Sequence, residues 1–150
     1  MAIDRGDWHF EDAGTWERAC RHIALFLWWA AERGLAGPDI DAKAMKKGAT
    51  RYFIKECDTK LWNDDLNEEG NRFVRTNYNP YLEAVHAYAA SHDLDDYDIP
   101  ENAATAKHFF AWLDDRLAAW RAKPKKKTAA KKKAAPKKKA VKATGRAARR

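Results

Sequence analysis

At 150 residues, with 29 Lys and Arg against 22 Asp and Glu, the chain has room for one domain and an appendage and carries a formal charge of +7. That total conceals a division. All the acids lie at or before Asp115, so residues 1–120 carry 14 − 22 = −8, while residues 121–150 carry +15 from eleven Lys and four Arg. The longest apolar run, residues 23–31, is nine residues long, against about 20 for a membrane span, which excludes an intramembrane reading of it.

The opening stretch "MAIDRGDWHFED" is polar and acidic and gives no signal-peptide pattern, so a cytoplasmic protein is expected, nucleoid-associated if its basic end binds DNA. Residues 15–33, "TWERACRHIALFLWWAAER", are predicted as the strongest helix. Trp16, Cys20, Ile23, Leu27 and Ala31 recur at steps of three and four, Thr15 serves as N-cap and Gly34 as stop. From Ile23 onward it is apolar nearly all round, which predicts a central position. "GP" at 37–38 opens a short second helix with Ile40, Ala44 and Met45 inward, closed by Gly48. Thr50 caps a third, "RYFIKECD", with Tyr52, Phe53 and Cys57 on its inner stripe.

Asp64 or Asp65 is expected to start the next helix, with Glu68 and Glu69 at its positive end. Its stripe is Leu66, Phe73, Val74 and Tyr78; Pro80 breaks or kinks it, and Tyr81, Val85, Tyr88 and Ala89 continue on a further segment. "LDDYDIP" reads as a loop. Pro100 and Asn102 then introduce a last helix, about 101–122, with Phe109, Leu113, Leu117 and Trp120 in a four-three rhythm. No stretch alternates with β-branched enrichment, so the class expected for residues 1–122 is all-α, a single domain of five to six helices. Cys20 and Cys57 sit in apolar helical contexts without CxxC or Cys/His spacing and are expected to be reduced core thiols.

Residues 123–150, "KPKKKTAAKKKAAPKKKAVKATGRAARR", have no acid and no aromatic, and their KKK triplets recur every six residues. With Pro124 and Pro136 interrupting helix and little apolar bulk, this segment cannot offset its ordering entropy and is expected to be disordered. Its composition resembles the Lys/Ala/Pro tails of linker histones and of some bacterial nucleoid-associated proteins. Lys125, Lys126, Lys127, Lys131, Lys132, Lys133, Lys137, Lys138, Lys139, Lys142, Arg146, Arg149 and Arg150 are the candidate phosphate contacts. With no stacking platform and no folded element to aim Arg at base edges, binding without sequence preference is expected, to DNA before RNA.

In the domain, "NDDLNEEGN" at 63–71 fails as an EF-hand loop: counted from Asn63, Glu68 stands where Gly is required and Val74 where Glu is. A capped helix start explains its acids. Neither His22, in the central helix, nor His108, in the last, has an i+4 His or a Glu at metal-site spacing, and Trp8-His9 near Asp7 reads as a packed structural cluster. No P-loop, G-x-G-x-x-G or Ser-His-Asp order occurs. No cofactor and no metal are predicted.

"DWHFED" (7–12), "HIALFLWWAAERGLAG" (22–37), the DLNEEGN block within 53–82 and "FAWLDDRLAAWRA" (110–122) together resemble a family of small bacterial proteins catalogued as a domain of unknown function. The likeness spans most of residues 5–122 and implies a small helical domain. A site shared with that family would use Trp8, His9, His22, Asp65, Asn67, Glu68, Glu69, Gly70 and Asn71. The basic tail, and Asn79-Pro80 within a helical stretch, depart from its pattern.

The sequence thus predicts a non-enzymatic protein: an acidic helical domain, 1–122, tethered to a tail that holds nucleic acid. The rival is a protein-binding module, immunity-like, with the tail incidental. A third reading, a small metal-dependent or hydrolytic enzyme, requires Trp8, His9, His22 and the DLNEEGN acids to converge on one pocket.

Overall fold

The computed structural model describes residues 1–123. Met1–Leu117 forms one compact unit, and a second unit begins at Ala118. The segment expected to be disordered, and its candidate phosphate contacts from Lys125 to Arg150, lie outside the described residues.

The chain is mainly helical, in the order β1 (Ala2–Arg5), α1 (Gly6–Ala13), α2 (Trp16–Glu32), α3 (Ala42–Lys47), α4 (Ala49–Glu56), β2 (Lys60–Trp62), a 3-10 turn (Asn63–Asp65), α5 (Glu68–Ser91) and α6 (Ala103–Ala122). The all-α class holds, with one addition. β1 and β2 pair antiparallel as a two-stranded ribbon. Strands this short carry too few residues for alternation to register in the sequence.

α2 is the central element, as its all-round apolarity predicts. Thr15 caps it, accepting from the Arg18 N–H, and Ile23, Ala24, Phe26, Leu27, Trp29 and Ala30 are buried. α5 packs on it through Phe73 against Trp29, and through Tyr78 and Tyr81 against Phe26. α6 adds Phe110 against Trp28 and Phe109 against Tyr81. Asp114 of α6 then receives both Arg33 (2.7 and 2.9 Å) and the Trp29 indole N–H (2.9 Å).

Several boundaries differ from the sequence reading. α1 is a helix the sequence reading did not separate, with no side-chain N-cap and Gly14 in the left-handed region (φ 87°) as its stop. α3 starts at Asp41, whose carboxylate caps Lys43 and Ala44, and Ile40 is half-buried; Met45 is the buried anchor. α4 begins at Gly48, so Thr50 lies buried inside its first turn instead of capping it. Asn63–Asp65 form only a 3-10 turn; the cap of α5 is Asn67, which accepts from the Gly70 N–H at 2.8 Å.

α5 also runs unbroken through Pro80. A mid-helix proline costs about 3 kcal/mol. Tyr78 and Tyr81 are both buried beside it, each offering about 1.5–3 kcal/mol of apolar burial, and hold the helix on course. The two predicted segments are therefore one helix. Cys20 is buried and Cys57 half-buried, and both thiols are free.

Candidate functional site

Asp4 is the organising residue. β1 carries one extra residue between its pairings Ala2↔Trp62 and Asp4↔Leu61. Such a bulge re-aims the side chain that follows it, and Asp4 turns inward to 3% exposure. The chain then enters α1 at Gly6, whose N–H bonds the Thr59 carbonyl (2.7 Å); a Cβ there would stand 2.6 Å from the Cys20 sulfur of α2. Only glycine permits this approach of α1 to α2, and it delivers His9 to His22. The two rings meet edge to face, 4.7 Å apart at 88°.

Both imidazoles present Nε2 to the Asp4 carboxylate. His9 Nε2 is 2.7 Å from Oδ1, and His22 Nε2 is 3.4 Å from Oδ2. The backbone N–H of Arg5 donates to Oδ1 (2.8 Å) and the Tyr78 hydroxyl donates to Oδ2 (2.7 Å). Tyr97 reaches down from the 93–98 loop to place its hydroxyl 2.9 Å from His9 Nδ1. Behind the site, the Tyr81 hydroxyl donates to the His22 carbonyl (2.7 Å), fixing the α2 backbone there.

A buried carboxylate must be paired or must hold a metal. The basic side chains that reach it are the two histidines, while the Arg5 guanidinium turns away to Asp7. Burial opposes the charge on Asp4, but hydrogen bonding from His22 and His9 outweighs it and holds the carboxyl well below the usual carboxylate range. Burial pulls the His22 imidazole below the ordinary histidine value, against the opposing pull of Asp4. Burial raises the Tyr78 phenol well above its ordinary value, so it stays a donor.

The residues of the proposed family site divide into two groups. His9 and His22 converge, and the acid beside His9 is Asp4, not the adjacent Asp7. Trp8 points outward, 58% exposed, with Arg5 over its ring at 5.6 Å. The DLNEEGN residues build a corner of the fold. Asp65 accepts from the Trp62 N–H (2.8 Å), and the Asn67 amide donates to the Gly34 carbonyl (2.7 Å). Asn71 donates to the carbonyls of Asn63, Leu66 and Asn67 and accepts from the Asn63 amide.

Gly70 abuts the Leu35 carbonyl, and Glu68 makes a solvent-facing pair with Arg72 at 3.3 Å. Glu69 lies in the first turn of α5. Glu68 and Asn71 also line an open cleft with Met1, Ala2, Ile3, Arg72 and Arg75, whereas His9 and His22 are gathered at Asp4. Asp65, Asn67, Gly70 and Asn71 of the DLNEEGN run are therefore explained by backbone satisfaction and close packing.

Sequence reading missed Asp4, Tyr78 and Tyr97. Asp4 and Tyr78 are 74 positions apart, and no local spacing signals their contact. The one available signal was an acid within a few residues of His9 on an apolar-flanked strand, and Asp7 competed for it.

No curated protein and no solved structure matches the chain. A family pattern does match, over residues 2–110, and that span contains Asp4, His9, His22, Tyr78, Tyr97 and the whole DLNEEGN corner. The chain therefore belongs to the family described as Domain of unknown function (DUF7832).

Proposed function

We propose that the basic segment, residues 123–150, binds nucleic acid through its phosphates without sequence preference and tethers the acidic helical domain, residues 1–122, to it. The observation that carries this reading is the charge division: +15 over residues 121–150 against −8 over residues 1–120. Each phosphate neutralised by Lys or Arg releases condensed counterions, so binding is strong at low salt and falls steeply as salt rises. Without aromatic side chains the segment has nothing on which to stack single-stranded bases, which favours duplex DNA. The acidic domain repels phosphate on average and so leaves the contacts to the basic segment.

The test compares the full chain with one ending at residue 122 in a mobility-shift assay on duplex DNA and on RNA at low salt. The full chain is expected to shift duplex and the shortened chain to leave it free. Equal retention by both overturns the assignment.

A second reading, a protein-binding module, is favoured by Trp8 and Trp16, which leave 58% and 40% of their surface exposed on the first two helices. Exposed aromatics are enriched where partners dock. Residues 1–122 alone would then retain a specific protein partner, and loss of that capture in Trp8→Ala would support this reading. Capture unchanged by Trp8→Ala and Trp16→Ala together would count against it.

A further inference from the structure

We propose that Asp4, His9 and His22 form a binding site for one divalent transition-metal cation, of the class that takes mixed imidazole and carboxylate ligands. One ligand atom from each of the three lies within 4.8 Å of the other two. They come from three different elements, β1, α1 and α2, so the fold and not a local motif assembles them. Tetrahedral zinc with bonds of about 2.0–2.1 Å sets its ligand atoms about 3.3 Å apart. The His22 Nε2–Asp4 Oδ2 separation is already 3.4 Å, while His9 Nε2 stands 2.7 Å from the other carboxylate oxygen, Oδ1, and has to draw back by about 0.6 Å to share an ion with it.

The chemistry of the donor set fits. Imidazole nitrogen with carboxylate oxygen suits zinc and its neighbours in the first transition row, and these ligands bind as neutral imidazole and ionised carboxylate. The outer contacts are also of the kind metal ligands use. The Tyr97 oxygen stands at His9 Nδ1 and orients that ring, while the Tyr78 hydroxyl and the Arg5 N–H hold the carboxylate.

The surroundings are anionic. Asp12, Asp95 and Asp96 act electrostatically on Tyr97, and Asp96 acts on His22 as well, while Arg5 is engaged by Asp7 and Arg18 by Asp98 and Asp95. His9 keeps 21% of its side chain exposed, so the site has a side open to solvent where water completes the coordination. The expectation of no metal rested on spacing within single helices, which cannot register ligands from three elements. The inference concerns the helical domain and stands independently of what the basic segment binds.

The test uses the untagged full chain, stripped with chelator, and titrates Co2+ as a visible probe with Zn2+ as competitor. Expected are d–d absorption bands saturating at one Co2+ per chain and their loss on adding Zn2+. His9→Gln, at a partly exposed position, is expected to weaken uptake more than about 100-fold, and Tyr97→Phe about 10-fold. His86→Gln, on the surface pair with Asp96, is expected to leave it unchanged. Circular dichroism confirms that each variant is folded. Absence of bands in the folded wild-type chain, or uptake by folded His9→Gln equal to wild type, overturns the proposal.

Discussion

Replacing Gly70 with alanine tests the account of the DLNEEGN corner. A Cβ at this position would stand 2.3 Å from the Leu35 carbonyl oxygen and 3.2 Å from Leu66 Cβ. The first contact is with backbone, so no side chain can swing aside to relieve it. The same carbonyl accepts the Asn67 N–H at 2.9 Å, and moving it by about 1 Å to reach ordinary contact loses or distorts that bond. Overpacking of this kind costs about 1–3 kcal/mol, and a lost hydrogen bond adds about 1 kcal/mol.

Against these stands a helix-propensity gain of about 1 kcal/mol for Gly→Ala. The net is a destabilisation of about 1–3 kcal/mol, or about 4–12 °C in Tm for a body of this size. Urea unfolding followed by tryptophan fluorescence measures it. Glu68→Ala serves as control, since that side chain is 91% exposed and its pair with Arg72 contributes little, so its midpoint is expected within about 0.5 kcal/mol of wild type. A Gly70→Ala midpoint equal to or above wild type refutes the packing argument.

Three further outcomes are expected. The hydrogen bonds from Arg33, with a smaller share from Trp29, hold the Asp114 carboxyl below its ordinary value of 3.8. A depressed carboxyl contributes stability that is present above 3.8 and lost as pH falls through the lowered value, so the gap in urea midpoint between wild type and Arg33→Gln is expected to be small, constant above pH 5, and to close towards pH 2. A gap that widens on acidification contradicts the sign. Burial pushes both the Cys20 and Cys57 thiols up to about 12, so labelling by a thiol reagent at pH 8 is expected to be slow in the native protein and fast in urea; fast native labelling of both contradicts their burial. Tyr81→Phe removes the bond to the His22 carbonyl from a fully buried position and is expected to cost about 1 kcal/mol in urea unfolding.

Legibility in the sequence followed the range of the interaction. α2 was readable because its cap, stripe and stop lie within a few residues of one another: Thr15 caps it and Cys20, Ile23 and Leu27 of the predicted stripe are buried, whereas Trp16 at its start is exposed and Ala31 half-buried. Of the predicted α6 stripe, Phe109, Leu113 and Leu117 are buried, for the same reason, and Trp120 is half-buried. Pro80 misled because a local breaker was overridden by tertiary burial of Tyr78 and Tyr81. The ribbon escaped notice because Asp4 pairs with Leu61 across 57 positions. The site was half legible: His9 and His22 stood out as residue types, but what joins them, Asp4, and what orients them, Tyr78 and Tyr97, are contacts between distant elements. The DLNEEGN run drew attention as chemistry, and its regularity comes from the backbone groups that Asp65, Asn67 and Asn71 satisfy.

The most direct test of the proposed function is the salt dependence of duplex DNA affinity, measured by fluorescence anisotropy for the full chain between about 50 and 200 mM KCl. With about ten of the basic side chains on phosphates, log affinity against log salt is expected to fall with a slope near −9, and the chain ending at residue 122 to show no binding across the range. A slope near zero, or equal affinity from the shortened chain, contradicts the claim that attraction to polyphosphate resides in residues 123–150.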